Sequence, residues 1–296
     1  KANMEEQRTQ SREHRQNGTG WSEGRAIDTD NLPETVFTGY EQEEGQGKVL
    51  ALFADSESVD SLEKGESGVV VLDETPFYGE SGGQVGDIGY FESDSMTTKV
   101  DNTKKTGSGV FLHYVEVVEG AIHVGDTIRT YVNSIRREDI RRNHSATHLL
   151  HKALKMVLGD HIQQAGSMVD EEHLRFDFTH FEALTAEQIT EVEGIVNRAI
   201  FDSYPVKTEI MSLSQATEDG AVGLFEDKYQ DQVRVLSMGD FSKELCGGTH
   251  VKNTAQIQMM RITAEQGISS GVRRIEAITG RASYDQVLEY ERQLNL

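Results

Sequence analysis

A length of 296 residues, with 36% hydrophobic and 27% charged residues, is typical of a folded globular protein with room for two domains and excludes a disordered chain. No apolar run is long enough to cross a membrane, and from the polar first residues we expect neither a signal peptide nor a transit sequence. The single cysteine excludes an internal disulfide, so a cytosolic enzyme is the expected class. A net charge of −21 argues against long-range attraction to nucleic acid, although local basic clusters can override that average.

The two ends of the chain are predicted to be helical. Residues 1–16 are rich in helix formers, and the glycines at positions 18 and 20 end that pattern before a linker that extends to about residue 30. Residues 281–296 also have a helical composition. We expect both segments to be parts of longer helices that the ends of this sequence cut.

Residues 31–133 are predicted to form a small β-barrel. Glycine and acidic turns separate short runs of β-branched and aromatic residues, with no long helical pattern among them. The runs lie at 35–40, 48–53, 67–72, 110–117 and 127–132. Several short strands of this kind favour a barrel.

A glycine-rich segment that contains Ser81, Gly82, Gly83 and Gln84 interrupts these strands. Three glycines within five residues let the backbone approach another group closely. By itself this pattern is weak, because most glycine-rich segments are simple loops.

Helices and strands intermix after residue 133, which predicts an α+β domain over residues 134–280. One helix is expected at about 139–158, where apolar residues recur at helical spacing. A second helix opens at Thr185, with Gln188 as its capping-box partner. Strands are expected at 206–211, 232–237, 256–264 and 272–278.

Four candidate metal ligands lie in two short motifs. His144 and His148 are four residues apart on the first of these helices, so both imidazoles project from one face. Cys246 and His250 flank a Gly-Gly pair, whose backbone freedom lets both side chains turn onto one ion. Three nitrogens and one sulfur suit zinc. Four protein ligands are typical of a structural site and three plus water of a catalytic one, so the residues alone leave both roles open.

Two other classes of site are disfavoured. A zinc protease needs a glutamate directly after the first histidine, where this chain has Ser145. No glycine-rich run ends in Lys-Ser or Lys-Thr, so we expect no phosphate-binding loop for ATP. His151 shares a helical face with His148, and we interpret it as a partly buried histidine without a metal role.

Arginine pairs at 136–137, 141–142 and 273–274 interrupt the acidic sequence. Such pairs are usually solvated surface. Two of them, however, lie within ten positions of the candidate metal site, which favours a contact with an anionic substrate. Arg141 and Arg142 are the candidate residues for that contact.

Five ordered motifs together resemble the alanyl-tRNA synthetase family. They are Thr75-Pro76-Phe77-Tyr78, the segment from Ser81 to Asp87, Arg142-Asn143-His144-Ser145-Ala146-Thr147-His148, Leu174-Arg175-Phe176-Asp177-Phe178 and Cys246-Gly247-Gly248-Thr249-His250. The resemblance spans nearly the whole chain and points to the editing region of that family and the barrel before it. The first residues would then be the end of the family's helical tRNA-binding domain.

The resemblance implies an aminoacyl-tRNA deacylase that hydrolyses the ester of wrongly charged Ser-tRNA(Ala) and Gly-tRNA(Ala). The implied partner is the acceptor end of tRNA(Ala), and the implied cofactor is one Zn²⁺ per chain. The family's metal positions match His144, His148, Cys246 and His250 one by one.

Other roles also follow from the resemblance. The family's editing-site glutamine corresponds to Gln164. Thr147, one residue before a predicted zinc ligand, and Gln164 are the candidate catalytic residues; for Thr147, a hydroxyl that is bonded back to the preceding helical turn is an equal alternative. The loop from Ser81 to Asp87 would face the editing pocket and contact substrate through Ser81, Gly82, Gly83 and Gln84, with a tight turn between barrel strands as an equal alternative. Arg141 and Arg142 would contact phosphates of the acceptor end.

The implied fold class is α+β, with a small N-terminal barrel of the translation-protein kind before an editing domain like that of threonyl- and alanyl-tRNA synthetases. The expected division is 1–30, 31–133, 134–280 and 281–296. Aminoacylation with ATP is not expected, because the family's core for that reaction precedes these motifs, and its C-terminal domain is missing too. A freestanding alanyl-tRNA editing deacylase and a non-catalytic, zinc-stapled tRNA-binding module are the alternatives. A cytoplasmic location is expected, with no membrane contact, and no oligomer is predicted.

Overall fold

Eleven strands occupy the first part of the computed structural model, which describes residues 27–221, 223 and 231–294. Runs of β-branched and aromatic residues between glycine turns form most of them. The strands are β1 Val36–Phe37, β2 Glu44–Ala54, β3 Glu57–Val59, β4 Ser61–Glu63, β5 Ser67–Leu72, β6 Glu74–Thr75, β7 Gly89–Glu92, β8 Thr97–Lys105, β9 Phe111–Glu119, β10 Ala121–His123 and β11 Thr127–Val132.

Six of these strands close into a barrel. They pair in the order β11-β7-β8-β9-β5-β2, and β2 pairs antiparallel with β11 to complete the ring. Inward-facing residues fill the interior, among them Leu52, Val70, Phe91 and Val115, which are fully buried. Closure pairs the edges that an open sheet would leave exposed. The barrel predicted from the sequence is confirmed.

His113 lies in the core of the barrel without exposure to solvent. Its Nδ1 donates to the carbonyl oxygen of Val70 at 2.9 Å, and its Nε2 accepts from the hydroxyl of Thr75 at 2.8 Å. Burial lowers the pKa of His113 from 6.5 to about 4, against a smaller opposing effect of the Val70 carbonyl. The folded barrel therefore holds this imidazole in its neutral form.

We expect the barrel to lose stability as the pH falls below 6.5 toward about 4. In that range the unfolded chain takes up a proton at His113 and the folded barrel does not, so protons favour unfolding, by about 2 kcal/mol between about pH 7 and about pH 5. Urea unfolding of the wild type and of His113→Gln at both pH values measures this loss, which should be about 2 kcal/mol smaller in the variant. His123→Gln, at an exposed histidine of β10, is the matched control. Equal pH dependence of the wild type and His113→Gln would refute the prediction.

The second part of the chain mixes helices and strands within the described residues. The helices are α1 Ser134–Leu158, α2 Ala186–Phe201, α3 Leu213–Glu218 and α4 Gly280–Leu294. The strands are β12 Gln164–Val169, β13 Leu174–Thr179, β14 Val206–Ser212, β15 Gln232–Met238, β16 Ser242–Leu245, β17 Met260–Ser269 and β18 Val272–Thr279.

These strands form two antiparallel sheets, one in the order β12-β13-β18-β17 and one in the order β14-β15-β16. The helices α1 and α2 share one core with the four-stranded sheet, in which Leu150, Leu154, Phe176 and Val196 are fully buried. Burial of apolar faces from both kinds of element is what holds this part together. The α+β class predicted from the sequence is confirmed.

Arg137 joins α1 to the barrel, and its side chain is fully buried. Its guanidinium binds the carboxylate of Asp87 through Nε and Nη2, and it donates to the carbonyl oxygens of Gly39 and Pro76 at 2.8 and 2.6 Å. The carboxylate of Asp87 also accepts from the backbone N–H of Tyr78 at 2.7 Å. This buried ion pair fixes the orientation of α1, and thus of His144 and His148, relative to the barrel.

Several element boundaries differ from the predictions, and two of the differences have a clear local cause. The helix α1 begins five residues before the expected position 139, because the side chain of Asn133 accepts a hydrogen bond from the first turn and caps it. The strand expected at 256–264 begins only at Met260, because a 3-10 turn occupies Thr254–Ile257. The capping box predicted at the start of α2 is confirmed.

The ends of the chain are covered only in part. The helix predicted at residues 1–16 and most of the predicted linker lie outside the described residues. Strands end at Val132 and α1 begins at Ser134, but the division of the chain into four segments stays a prediction. No described helix is long and apolar enough to span a membrane.

Candidate metal centre

His144, His148, Cys246 and His250 meet at one point of the structure. The first two project from one face of α1, and the last two come from the turn that follows β16. One ligand atom of each side chain lies within 4.8 Å of those of the other three. The structure thus brings together the four side chains that the sequence predicted as ligands, while their role as ligands stays a prediction.

The turn between Cys246 and His250 requires glycine at position 248. A Cβ atom added to Gly248 would lie 2.0 Å from the Cε1 atom of His144, closer than side chains approach one another. Without that atom the turn can close over the imidazole. At Gly247 an added Cβ would meet open space.

Each of the three imidazoles has its Nδ1 atom within hydrogen-bond distance of an oxygen atom of a different side chain. The pairs are His144 with the amide oxygen of Gln84 at 2.7 Å, His148 with a carboxylate oxygen of Glu244 at 2.5 Å and His250 with the hydroxyl of Ser145 at 3.1 Å. A neutral imidazole that donates from Nδ1 keeps the lone pair of Nε2 for a metal. The buried Nε2 of His148 has no hydrogen-bond partner among the described residues, as expected of a ligand atom.

The sulfur of Cys246 lies 3.5 Å from Nε2 of His144 and 3.2 Å from Nε2 of His250. A sulfur and a nitrogen bound to the same tetrahedral zinc are about 3.5 Å apart. Burial alone would raise the pKa of the Cys246 thiol, but the three imidazoles around it lower that pKa well below its usual range. The thiolate, which is the form that binds zinc, is therefore favoured. Donor types and spacing both fit one zinc ion.

Glu244 is a buried carboxylate that contacts two histidines of α1. It accepts from Nδ1 of His148 at 2.5 Å and from Nδ1 of His151 at 3.0 Å. Burial would raise the pKa of Glu244, but the two imidazoles lower it to about 2. Burial would likewise lower the pKa of His148, but mainly the carboxylate raises it to about 10, so metal binding has to displace a proton. His151 is not part of the four-residue cluster, in line with its interpretation as a histidine without a metal role.

Tyr40 of the barrel and Arg234 of β15 hold the backbone of the metal-binding turn. The hydroxyl of Tyr40 donates to the carbonyl oxygen of Gly247 at 2.7 Å. Arg234 donates to the carbonyl oxygens of Cys246 and Gly248 at 2.9 and 3.0 Å, and its guanidinium lies 3.9 Å from the centre of the Tyr40 ring. Three successive carbonyl groups are thus held from outside the turn, which preorganises its two ligands.

The glycine-rich loop lies against the second part of the chain. Val169 of β12 donates to the carbonyl oxygen of Gly83 at 2.7 Å, and a Cβ at Gly83 would lie 2.5 Å from the carbonyl oxygen of Ser167. Ser81 and Gly82 are exposed, whereas Gln84 is fully buried. The four residues were predicted to contact substrate, and that role stays a prediction.

Thr147 and Gln164 occupy different elements. The hydroxyl of Thr147 donates back to the carbonyl oxygen of Asn143 at 2.9 Å, within α1. Gln164 is half-buried at the first position of β12, where it pairs with Phe178 of β13. Their predicted catalytic roles stay predictions.

Arg141 and Arg142 are both in ion pairs with acidic neighbours. Arg141 binds Glu43 at 2.6 Å and also Glu138, and Arg142 binds Asp139. A phosphate group would have to compete with these carboxylates. The predicted contact of the two arginines with substrate stays a prediction.

Sequence reasoning missed the residues that support the cluster, namely Glu244, Tyr40 and Arg234. In a chain with 50 acidic residues, Glu244 carries no local signal beyond its position two residues before Cys246. Tyr40 lies more than 200 residues before the turn that it holds. Only the fold brings such partners together.

Two family models match the sequence. Residues 1–136 match class II (A) tRNA synthetases, and residues 233–276 match the second additional domain of threonyl and alanyl tRNA synthetases. The second match includes Cys246 and His250.

Curated relatives extend the likeness over nearly the whole chain. The alanine–tRNA ligase of Pseudomonas entomophila is 50% identical over 292 residues, which are 98% of this chain and 33% of that protein. The alanine–tRNA ligase of Legionella pneumophila (strain Corby) is 49% identical over 278 residues, 94% of this chain and 32% of that protein. That of Idiomarina loihiensis is 47% identical over 280 residues, 95% of this chain and 32% of that protein. The chain spans about a third of the length of the curated relatives that it matches.

Proposed function

The chain belongs to the alanyl-tRNA synthetase family, and from that premise we propose that it hydrolyses the ester bond of tRNA(Ala) that carries serine or glycine. The observation that carries this proposal is the convergence of three imidazoles and one thiol within 4.8 Å, partly inside the segment that matches the second additional domain. His144, His148, Cys246 and His250 would hold the zinc ion. A bound ion would orient the aminoacyl ester for attack by water, or would polarise it if one of the four ligands left.

A second, hydrolytic site is needed because a single binding pocket discriminates poorly between small amino acids. A pocket for alanine cannot exclude glycine by size, and it rejects serine only modestly. The second site has to hydrolyse the seryl and glycyl esters of tRNA(Ala) and leave the alanyl ester intact. Buried polar groups that hydrogen-bond the serine hydroxyl achieve this, because alanine would leave them unpaired. Glycine has no hydroxyl, so its clearance depends on its small size.

Thr147 is the best-placed polar group of α1 for sensing that hydroxyl. It lies next to His148 in the sequence, and its side chain is almost completely buried. Its proton is directed to the carbonyl oxygen of Asn143, which leaves the oxygen lone pairs of Thr147 free to accept from serine. Gln164 is the second candidate, since its amide can both donate and accept.

Thr147→Val should weaken the discrimination of serine from alanine about tenfold, the equivalent of one hydrogen bond of about 1.4 kcal/mol. The measurement is the ratio of the initial deacylation rates of Ser-tRNA(Ala) and Ala-tRNA(Ala). Thr190→Val is the matched control, because Thr190 makes the same backward hydrogen bond at an exposed position of α2. An unchanged rate ratio in Thr147→Val would show that the hydroxyl has no sensing role.

The acceptor end of tRNA is the proposed partner. Arg141 lines a shallow depression together with Tyr40 and Lys252, beside the metal-binding turn. The two cations could neutralise phosphates there once the carboxylate of Glu43 is displaced from Arg141. The depression also contains acidic residues, so binding should rely on a few local contacts rather than on the field of the whole chain.

The direct test is to incubate the zinc-loaded chain with Ser-, Gly- and Ala-tRNA(Ala) and to follow the free amino acid. We expect release of serine and glycine and little release of alanine. The rival function is a zinc-stapled tRNA-binding module, which the four-ligand set favours because closed sites are usually structural. Such a module would bind the three tRNAs and release no amino acid.

A further inference from the structure

Gln84 connects the barrel to the metal centre through a single buried amide. Its side chain has no exposure to solvent. The amide oxygen accepts from the backbone N–H of Thr249 at 3.0 Å and lies 2.7 Å from Nδ1 of His144. The amide nitrogen donates to the hydroxyl of Thr249 at 2.9 Å. Both polar atoms of Gln84 are therefore used inside the protein.

These contacts settle the orientation of the amide and the protonation of the ring. The backbone N–H of Thr249 can only donate, so the atom of Gln84 that faces it has to be the oxygen. The same oxygen faces Nδ1 of His144, and an amide oxygen accepts but does not donate. Nδ1 of His144 must then carry a proton, and in the neutral ring the lone pair lies on Nε2.

We propose that Gln84 is a positioning residue of the metal centre, which fixes His144 as the Nδ1–H tautomer and so reserves Nε2 of His144 for the metal ion. The barrel would then determine metal affinity without supplying a ligand. This inference rests on the proposed metal centre, but it does not depend on the proposed hydrolysis.

The loop that carries Gln84 is held from both sides. Asp87 is bound to Arg137 of α1, and the carbonyl oxygen of Gly86 accepts from Arg136 at 2.8 Å. On the other side, Val85 donates to the carbonyl oxygen of Val169 at 3.0 Å. With the loop fixed in this way, Gln84 cannot withdraw from the ring at small cost.

The metal-binding turn also closes directly over Gln84. A Cβ at Gly248 would lie 2.9 Å from the amide oxygen of Gln84. The amide oxygen of Gln84 thus connects the barrel loop, to which it belongs, with α1 and with the turn of Cys246 and His250. Loss of the acceptor would free both the tautomer of His144 and the position of Thr249.

The test compares zinc affinity in two variants at this position. Gln84→Met keeps the approximate volume and removes the acceptor, and it should weaken zinc binding about 10- to 100-fold, as is typical when the hydrogen-bond partner of a metal-binding histidine is lost. Gln84→Glu keeps an acceptor oxygen for Nδ1 of His144 and should bind zinc within a few-fold of the wild type. Competition with a chromophoric chelator gives the affinities. In the cobalt-loaded proteins, the visible bands of Gln84→Met should shift, and those of Gln84→Glu should match the wild type.

Gln188→Met is the matched control for a loss of stability alone. Gln188 closes the capping box of α2, so its replacement costs stability but should leave zinc affinity and the cobalt spectrum unchanged. Equal zinc affinity in Gln84→Met and the wild type would overturn the proposal. Equal weakening in Gln84→Met and Gln84→Glu would also overturn it, because the acceptor would then not be the cause.

The tautomer of His144 can also be measured directly in the wild type. The ¹⁵N chemical shifts of labelled histidine should identify His144 as protonated at Nδ1 in the metal-free chain, and a ring protonated only at Nε2 would overturn the proposal. A wild type that binds no zinc would remove the metal centre and this inference with it. Gln84-dependent zinc binding without release of serine would support this inference and contradict only the proposed hydrolysis.

Discussion

Cys246→Ala is expected to abolish zinc binding at stoichiometric metal and, with it, the release of serine from Ser-tRNA(Ala). The variant removes the one sulfur ligand and leaves three imidazoles, of which His148 is held protonated by Glu244 until a metal displaces its proton. Zinc affinity should fall by more than about 100-fold, because even the loss of an outer hydrogen-bond partner costs a metal site 10- to 100-fold. Metal analysis after dialysis and the initial rate of serine release measure the two effects.

Cys246→Asp is the matched control, because it restores an anionic ligand of a type that zinc accepts. It should recover part of the zinc affinity, whereas Cys246→Ala should not. A Cys246→Ala protein that retains one zinc per chain would show that the cysteine is not a ligand. A metal-free Cys246→Ala protein with the wild-type rate of serine release would show that the metal has no part in the reaction.

Arg137→Met should destabilise the folded chain by about 3–5 kcal/mol, the usual cost of leaving one partner of a buried ion pair unpaired. The carboxylate of Asp87, which is 1% exposed, would lose its counter-ion, and the carbonyl oxygens of Gly39 and Pro76 would lose their donor. The free energy of unfolding from urea titration measures this loss.

Arg136→Met is the neighbouring control, since the half-buried Arg136 makes one hydrogen bond to Gly86 and an ion pair with Glu171 at 2.9 Å. It should cost only about 1 kcal/mol. The double variant Arg137→Met with Asp87→Asn should lose less than the two single variants added together, because it leaves no buried charge unpaired. An equal decrease in the free energy of unfolding for Arg136→Met and Arg137→Met would contradict the role assigned to the buried ion pair of Arg137 and Asp87.

The sequence predicted those features that local patterns encode. The barrel strands at 67–72 and 127–132 coincide with β5 and β11, since apolar β-branched residues between turns leave few alternatives. Four metal-competent residues in two short motifs similarly predicted the cluster that the structure assembles. Strand β8 escaped prediction because threonine, lysine and asparagine dominate it, and β12 because it contains glycine and serine.

The residues that hold the four candidate ligands in place could not be predicted, because their contacts join distant parts of the chain. Nothing in the sequence indicated that Gln84 would contact His144 and Thr249, and its predicted contact with substrate stays a prediction. An amide side chain gives no indication in the sequence of which group it will meet. Arg137 shows the same limit, since an arginine next to another arginine normally suggests surface and here becomes a fully buried anchor.

Titration of the metal-free wild-type chain with zinc, while serine release from Ser-tRNA(Ala) is followed, tests the central claim most directly. We expect a negligible rate without zinc, a rise with each addition and a break at about one equivalent per chain, since the described residues form one cluster of four ligands. Ala-tRNA(Ala) should stay intact throughout the titration. Serine release at full rate before any zinc is added would show that the metal has no part in the reaction, and no release after saturation would show that the chain does not hydrolyse this ester.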